Sequence, residues 1–379
     1  MDFKFTEEQE LFRRTVSQYA KKEIAPLVDE LEQLEEFPVK ILRRMGELGF
    51  LGIPYPEKYG GSGGDTITVS IFLEELARVS AAVAGAAAIQ VNGVAGPVFL
   101  FGTEEQKERY LVPSIRGEKI GAIAMTEPAA GSDASSIQTS TTRDGDKYMI
   151  NGTKMFCSNG GIADLFFATA VTDPKKGIKG ISLFIIERET PGVSVSRNIK
   201  KLGAHGIGTY EIIFEECLVP ASSLLGEEDG GFYNLMRSVQ RARIGVGAMA
   251  VGLARAAFDD ALRYAKERVQ FGQPIGKFQG IQFMLADMAV EIELATLMVY
   301  KAAWMDGQGI RCNKEASFAK LFASQMVNRV AYNALQIYGG YGYMMEYPLQ
   351  RYFRDARLFE IFEGTSEIQR MIIGRELGL

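Results

Sequence analysis

Apolar positions in the first third of the chain recur at helical spacing. Phe12, Val16, Tyr19, Ala20, Ile24 and Leu27 fall on one such stripe. Thr6 followed by Gln9 has the form of a capping box at its start. The same period predicts helices over about residues 38–48, 67–79 and 103–111, with the Gly60-Gly61-Ser62-Gly63-Gly64 run as a loop. Near Gly121 the texture changes. Asp144-Gly145 and Asn151-Gly152 are hairpin-type turn signals. Short β-branched or aromatic runs at 148–150, 165–171, 181–186 and 210–214 read as strands. The stretch to about residue 226 is therefore predicted to be a mainly antiparallel β domain. From Phe232 the helical period returns over about 232–266 and 280–305. Ile281, Leu285, Met288, Ile292 and Val299 share a face of the latter. A third helix starts near Lys314 and stops at Gly339-Gly340. Long helices with short joints predict an antiparallel bundle. The fold class is α+β, mainly α, with expected domains at 1–120, 121–229 and 230–379.

Composition narrows the function. The chain of 379 residues carries a net charge of −5 and no long basic run, which argues against a nucleic-acid partner. Cys157, Cys217 and Cys312 are odd in number and far apart, so reduced thiols in a cytoplasmic protein are expected. The first residues lead into a polar helix and lack the apolar core of a signal peptide. No uninterrupted apolar run reaches membrane-spanning length; the longest, about 81–97, holds Gln90 and Asn92. His205 is the only histidine, which makes a multi-histidine metal site impossible, and no metal site is expected. It lies in a loop and reads as structural. An enzyme built from this chain would rest its acid–base chemistry on carboxylates and its redox chemistry on an organic cofactor.

The most informative stretch is Ile361-Phe362-Glu363-Gly364-Thr365-Ser366-Glu367. Apolar neighbours raise a carboxyl pKa and so improve a base aimed at a weakly acidic carbon. Gly364 lets a substrate approach the backbone. Thr365 and Ser366 could equally cap the next helix, with Glu363 in a salt bridge. The loop from Met125-Thr126-Glu127 to Gly131-Ser132-Asp133 presents backbone N–H groups suited to a polar ring or a phosphate, or is a plain turn. Arg268-Val269-Gln270-Phe271-Gly272 offers a cation for a phosphate and a ring for a flat cofactor, or marks a helix end. Gln336-Ile337-Tyr338-Gly339-Gly340 reads as a close-approach site or a helix cap.

Taken in order, these motifs resemble the acyl-CoA dehydrogenase family, close to its short-chain, butyryl-CoA dehydrogenase-like branch, over essentially the whole chain. The resemblance implies an N-terminal helical domain, a middle β domain and a C-terminal four-helix bundle. It implies FAD between the β domain and the bundle, its adenine end reaching a neighbouring subunit. Ile123, Met125, Thr126, Gly131, Ser132, Phe156 and Ser158 match the flavin-ring shell. Arg268, Phe271, Gln279, Gln336, Gly339 and Gly340 match the set that crosses a dimer interface, and Thr365 and Glu367 complete the site. Ser132, Gln240, Arg243, Phe362 and Gly364 match the substrate side. Glu363 matches the base that takes the α-proton while a hydride passes from the β-carbon to the flavin, giving a trans-2-enoyl thioester. An electron-transfer flavoprotein and a homotetramer built as a dimer of dimers are the implied partners. Phe362 stands where relatives commonly have tyrosine, and Phe156-Cys157-Ser158 where the commonest relative has Trp-Ile-Thr. Ala242 occupies the position where some branches place the base, and its identity supports Glu363. The stretch 89–97 has no arginine, which disfavours a dicarboxylate substrate. Two alternatives remain: an oxidase or monooxygenase on the same scaffold, and a flavin-free acyl-CoA-binding protein.

Overall fold

The computed structural model describes residues 4–33 and 37–379. The first helix, Glu7–Tyr19, starts as the sequence predicts: Thr6 accepts from the Gln9 N–H, and the Gln9 side chain accepts from the Thr6 N–H. Val39–Glu47, Thr66–Ala77 and Ala81–Ala88 follow. Thr66–Ala77 is buried nearly all round, which fits a helix inside a layered core rather than on its surface. Ala81–Ala88 continues through a π-helical turn, Ile89–Ala95, into Gly96–Phe101.

That continuous 21-residue helix corrects one expectation. By length and composition it could cross a membrane, because Gln90 and Asn92 are the only strongly polar side chains in its apolar middle and neither is charged. Its most apolar window is 61% buried inside the protein. Gln90 is fully engaged there, donating to the Ser114 and Lys119 carbonyls and accepting from the Gly121 N–H.

The middle region is a seven-stranded sheet: β1 Gly121–Ala124, β2 Ser140–Asp144, β3 Lys147–Ser158, β4 Leu165–Val171, β5 Ile181–Glu187, β6 Val193–Val195 and β7 Thr209–Pro220. The order is β1-β4-β2-β3-β7-β6, with β5 on β4. Antiparallel pairs dominate, but β1 and β2 each run parallel to β4, so the sheet is mixed rather than purely antiparallel. Sequence period reveals which faces are apolar but not which strands pair.

Strands β4 and β5 are apolar on both faces and buried throughout, apart from their last residues. Phe166, Ala168, Phe184 and Ile186 face one cluster, while Leu165, Phe167, Leu183 and Ile185 face another shared with Val94 and Val98 of the long apolar helix. Asp144-Gly145 does join β2 to β3. Asn151-Gly152 is not a hairpin: it lies inside β3, at an irregularity in the pairing with β7. Asn151 Oδ1 accepts from the Glu216 N–H at 2.7 Å, and a side chain at 152 would strike Thr139. The glycine serves close packing here, not a chain reversal.

The C-terminal region has three long helices, Gly231–Glu267, Gln279–Gly307 and Asn313–Tyr338. The fourth layer of the expected bundle is split into Leu349–Leu358 and Ser366–Glu376. Apolar residues of the N-terminal helices and of this bundle form one continuous core, from Val16 to Phe359. A buried ionic network crosses it: Arg13 bonds Glu74 and Glu75, Arg255 pairs with Glu74, and the Tyr300 hydroxyl donates to Glu74.

Candidate active site

The break in the fourth helical layer is where Glu363 sits. Glu363 has φ +52 and Gly364 φ +85, two left-handed residues in succession. A non-glycine residue there is strained, by roughly 1–3 kcal/mol, and persists only where its surroundings hold it. The hold is visible. The Gly364 carbonyl accepts from Lys320 Nζ at 2.7 Å and from Gln369 Nε2 at 3.0 Å. The Glu363 carbonyl also accepts from Gln369 Nε2, at 3.3 Å. The Ser366 N–H donates to the Glu360 carbonyl. Thr365 caps the following helix by accepting from the Ile368 N–H, so the capping role the sequence left open is present.

Glu363 keeps some accessible surface, yet enough protein surrounds its carboxyl that burial lifts its pKa above the usual carboxylate range. Lys320 and Arg243 oppose that rise. Both cations are buried. Burial pushes the Lys320 ammonium down to about 8, and lowers Arg243 as well. Arg243 Nη1 donates to Asn313 Oδ1 at 2.9 Å, while its Nε is buried with no partner among the described residues. Phe362 packs edge-on against Phe359 and joins the main core. Gln240, expected on the substrate side, is turned to Asp306 Oδ1 and Cys312 Sγ.

A second group lies on the sheet. Ile123 is on β1, and the loop after it is stitched to β3 by the Met155 N–H donating to the Thr126 carbonyl. Behind that loop Lys154 and Glu127 form a buried ion pair at 2.7 Å. Lys154 also donates to the Met125 carbonyl and Thr169 Oγ1. Glu127 accepts the Gln138 and Thr139 N–H groups. Burial works to raise Glu127, but those hydrogen bonds outweigh it and hold the carboxyl below its ordinary pKa. Gly131 and Ser132 are exposed, next to a turn that Asp133 closes with Ser135 and Ser136. Phe156 is 61% exposed with φ +58, and Ser158 ends β3 beside it.

The third group is at one end of the bundle. Arg268 ends Gly231–Glu267 and lies over the Tyr341 ring, and Phe271 is 94% exposed with φ +51. Gln279, Gln336, Gly339 and Gly340 are exposed nearby in sequence at helix ends. Among the described residues no hydrogen bond or ion pair joins this group to the sheet group. Glu367 is exposed in the first turn of Ser366–Glu376.

Models of the N-terminal, middle and C-terminal domains of acyl-CoA dehydrogenase match residues 6–118, 122–217 and 229–378. The chain belongs to the acyl-CoA dehydrogenase family. It is an oxidoreductase of that family with the family's fold. It is 44% identical over 377 residues to the short-chain-specific acyl-CoA dehydrogenase of Clostridium acetobutylicum, spanning 100% of both chains. It is 45% identical over 371 residues to the caffeyl-CoA reductase-Etf complex subunit CarC of Acetobacterium woodii, spanning 97% of this chain and 98% of that one. The solved butyryl-CoA dehydrogenase of Megasphaera elsdenii superposes with a TM-score of 0.97 at 43% identity, covering all of both chains.

Lys320, Lys154 and the pairing role of Glu127 are what sequence reading missed in this acyl-CoA dehydrogenase. A signal existed for the first. Lys320 stands at helical spacing from Ala316, Ala323 and Val327, a cation on an otherwise apolar stripe.

Proposed function

We propose that this acyl-CoA dehydrogenase binds FAD and oxidises a short-chain acyl-CoA thioester to its trans-2-enoyl thioester, with Glu363 as the base. The observation that carries the reading is a strained, enclosed carboxylate within the influence of two buried cations. Its N–H has no acceptor among the described residues and is free to donate to a thioester oxygen. Relatives named as short-chain and butyryl-CoA enzymes support the chain length.

The residues fit a flavin. Phe156 and Phe271 offer unusually exposed aromatic faces on strained backbone, suited to a flat ring system. Arg268 supplies a cation for a pyrophosphate. The third group, which no hydrogen bond or ion pair joins to the sheet group among the described residues, suits a cofactor shared with a second subunit. When bound, FAD supplies the hydride acceptor for the substrate β-carbon. Glu363, ionised, removes the α-proton; its raised pKa strengthens it as a base. The Glu363 N–H donates to the thioester oxygen and stabilises negative charge as it develops. Phe362 and the apolar surroundings exclude water. Ser132 and Arg243 would hold the CoA portion, and Thr126 and Ser158 would supply hydrogen bonds to the flavin ring.

The relative named as part of a reductase–Etf complex supports an electron-transfer flavoprotein as the partner that receives the electrons. It also favours a second reading, in which the electron-transfer flavoprotein supplies two electrons, the enoyl thioester takes a hydride equivalent at its β-carbon by way of the bound flavin, and protonated Glu363 returns the α-proton. Three free, buried cysteines suit a reducing cytoplasmic setting.

Glu363→Gln tests the assignment. The variant is expected to keep its bound flavin and to lose dehydrogenation by about 10²- to 10⁴-fold. Anaerobic flavin bleaching by butyryl-CoA at the wild-type rate would end the case for this base.

A further inference from the structure

Lys320 is fully buried, yet it takes no part in the reaction outlined above. A buried ammonium is costly unless it is paired. No carboxylate oxygen among the described residues lies within ion-pair distance of it. Its one hydrogen bond among the described residues goes to the Gly364 carbonyl. Gln369 shares that acceptor and also bonds the Glu363 carbonyl, so two donors fix both carbonyls of the left-handed pair. On its own helix the neighbours at helical spacing are Ala316, Ser317, Ala323, Ser324 and Val327, all buried and none charged. Nothing on that helix calls for a cation.

The charged groups around Lys320 lie on facing elements. Glu360, Glu363 and Glu367 come from the segment between the two short helices and its edge, and Arg243 from Gly231–Glu267. Glu367 is exposed and screened by water, and Glu360 pairs with Arg357. Glu363 is the carboxylate left for the charge of Lys320 to act on, with Arg243 acting in the same sense.

We infer that Lys320 is a positioning residue for the base: it clamps the Gly364 carbonyl, fixes the turn that aims Glu363, and sets a buried positive charge beside that turn. This rests on the reading of Glu363 as the base. Removing the charge raises the pKa of Glu363 further. The base acts ionised, so the rate climbs as pH passes that pKa, and the acid limb moves to higher pH. Lys320 is itself charged below about pH 8, which is the window for the comparison. A lysine that merely stapled the turn would lower rate or flavin retention at every pH and leave the limb in place.

The test is anaerobic flavin bleaching by butyryl-CoA, on holoenzyme, from about pH 5 to 9. Lys320→Gln keeps a donor for the Gly364 carbonyl and drops the charge. Its acid limb is expected about one pH unit higher, with bleaching about tenfold slower than wild type below the midpoint, whatever its plateau. Lys320→Arg keeps the charge and is expected to keep the wild-type midpoint whatever its plateau, so it remains informative if the Gln variant does not fold. A Lys320→Gln midpoint equal to wild type, or an Arg midpoint displaced as far as the Gln one, overturns the inference. Glu363→Gln, run alongside, separates the two claims. If it bleaches normally the base assignment fails and this inference with it. If it is dead while the Lys320→Gln limb is unmoved, this inference alone fails.

Discussion

Glu363 is held in a costly state: left-handed backbone, an enclosed carboxyl, and cations that moderate but do not cancel the effect of burial. Such strain concentrates at reacting centres because the surrounding packing over-determines it. Gly364 is part of the hold. At φ +85 an alanine is strained, and its Cβ would come within 2.8 Å of Gln369 Nε2. Gly364→Ala is expected to cost about 1–3 kcal/mol of stability and to lower kcat more than KM. Thermal unfolding with steady-state kinetics checks both; an unchanged kcat would show that the turn need not be exact. The flanking Phe359, Ile361 and Phe362 made the raised carboxyl legible in the sequence. The cations that oppose it come from residues 243 and 320, more than forty positions away, and no local pattern connects them to the turn.

At the scale of elements, the Lys154–Glu127 pair ties the loop after β1 to the middle of β3. One side chain is fully buried and the other nearly so. Breaking such a pair strands a charge, which costs about 3–5 kcal/mol. Lys154→Met is expected to lose that much in urea unfolding and to weaken flavin retention, because Met125 and Thr126 lose their support. Adding Glu127→Leu should recover part of the stability, since the stranded charge goes with it. Additive losses in the double-variant cycle would show that the two side chains act separately. The Asn151-Gly152 bulge carries a related lesson. A dipeptide that usually turns a hairpin stays in the strand here because Glu216 and Thr139 approach it from neighbouring segments.

For the whole molecule, the informative surface is on Gln279–Gly307. Phe283, Val290, Leu294 and Leu297 are exposed and share one face of the helix that Gln279 begins. Apolar side chains in such a row favour association. This face supports our proposal of a homotetramer built from dimers, with each flavin shared across a dimer interface. Leu294→Glu with Leu297→Glu is expected to give a smaller species by sedimentation that loses its flavin on gel filtration. A tetramer with full flavin content would place the interface elsewhere.

The sequence by itself determined the order of helical and strand regions, because burial imprints a period of 3.6 or 2 on any stretch that packs one face. It supplied the catalytic candidate through the family resemblance, since the turn's own pattern of apolar flank, carboxylate and glycine left a helix cap with a salt-bridged carboxylate equally open. Tertiary structure alone decided the parallel pairings of β1 and β2 with β4, the common core of the first and last regions, and the split of the fourth helical layer. It also decided which distant cations surround Glu363. Strand partners and through-space charges depend on distances across the fold, and a linear pattern does not encode those distances.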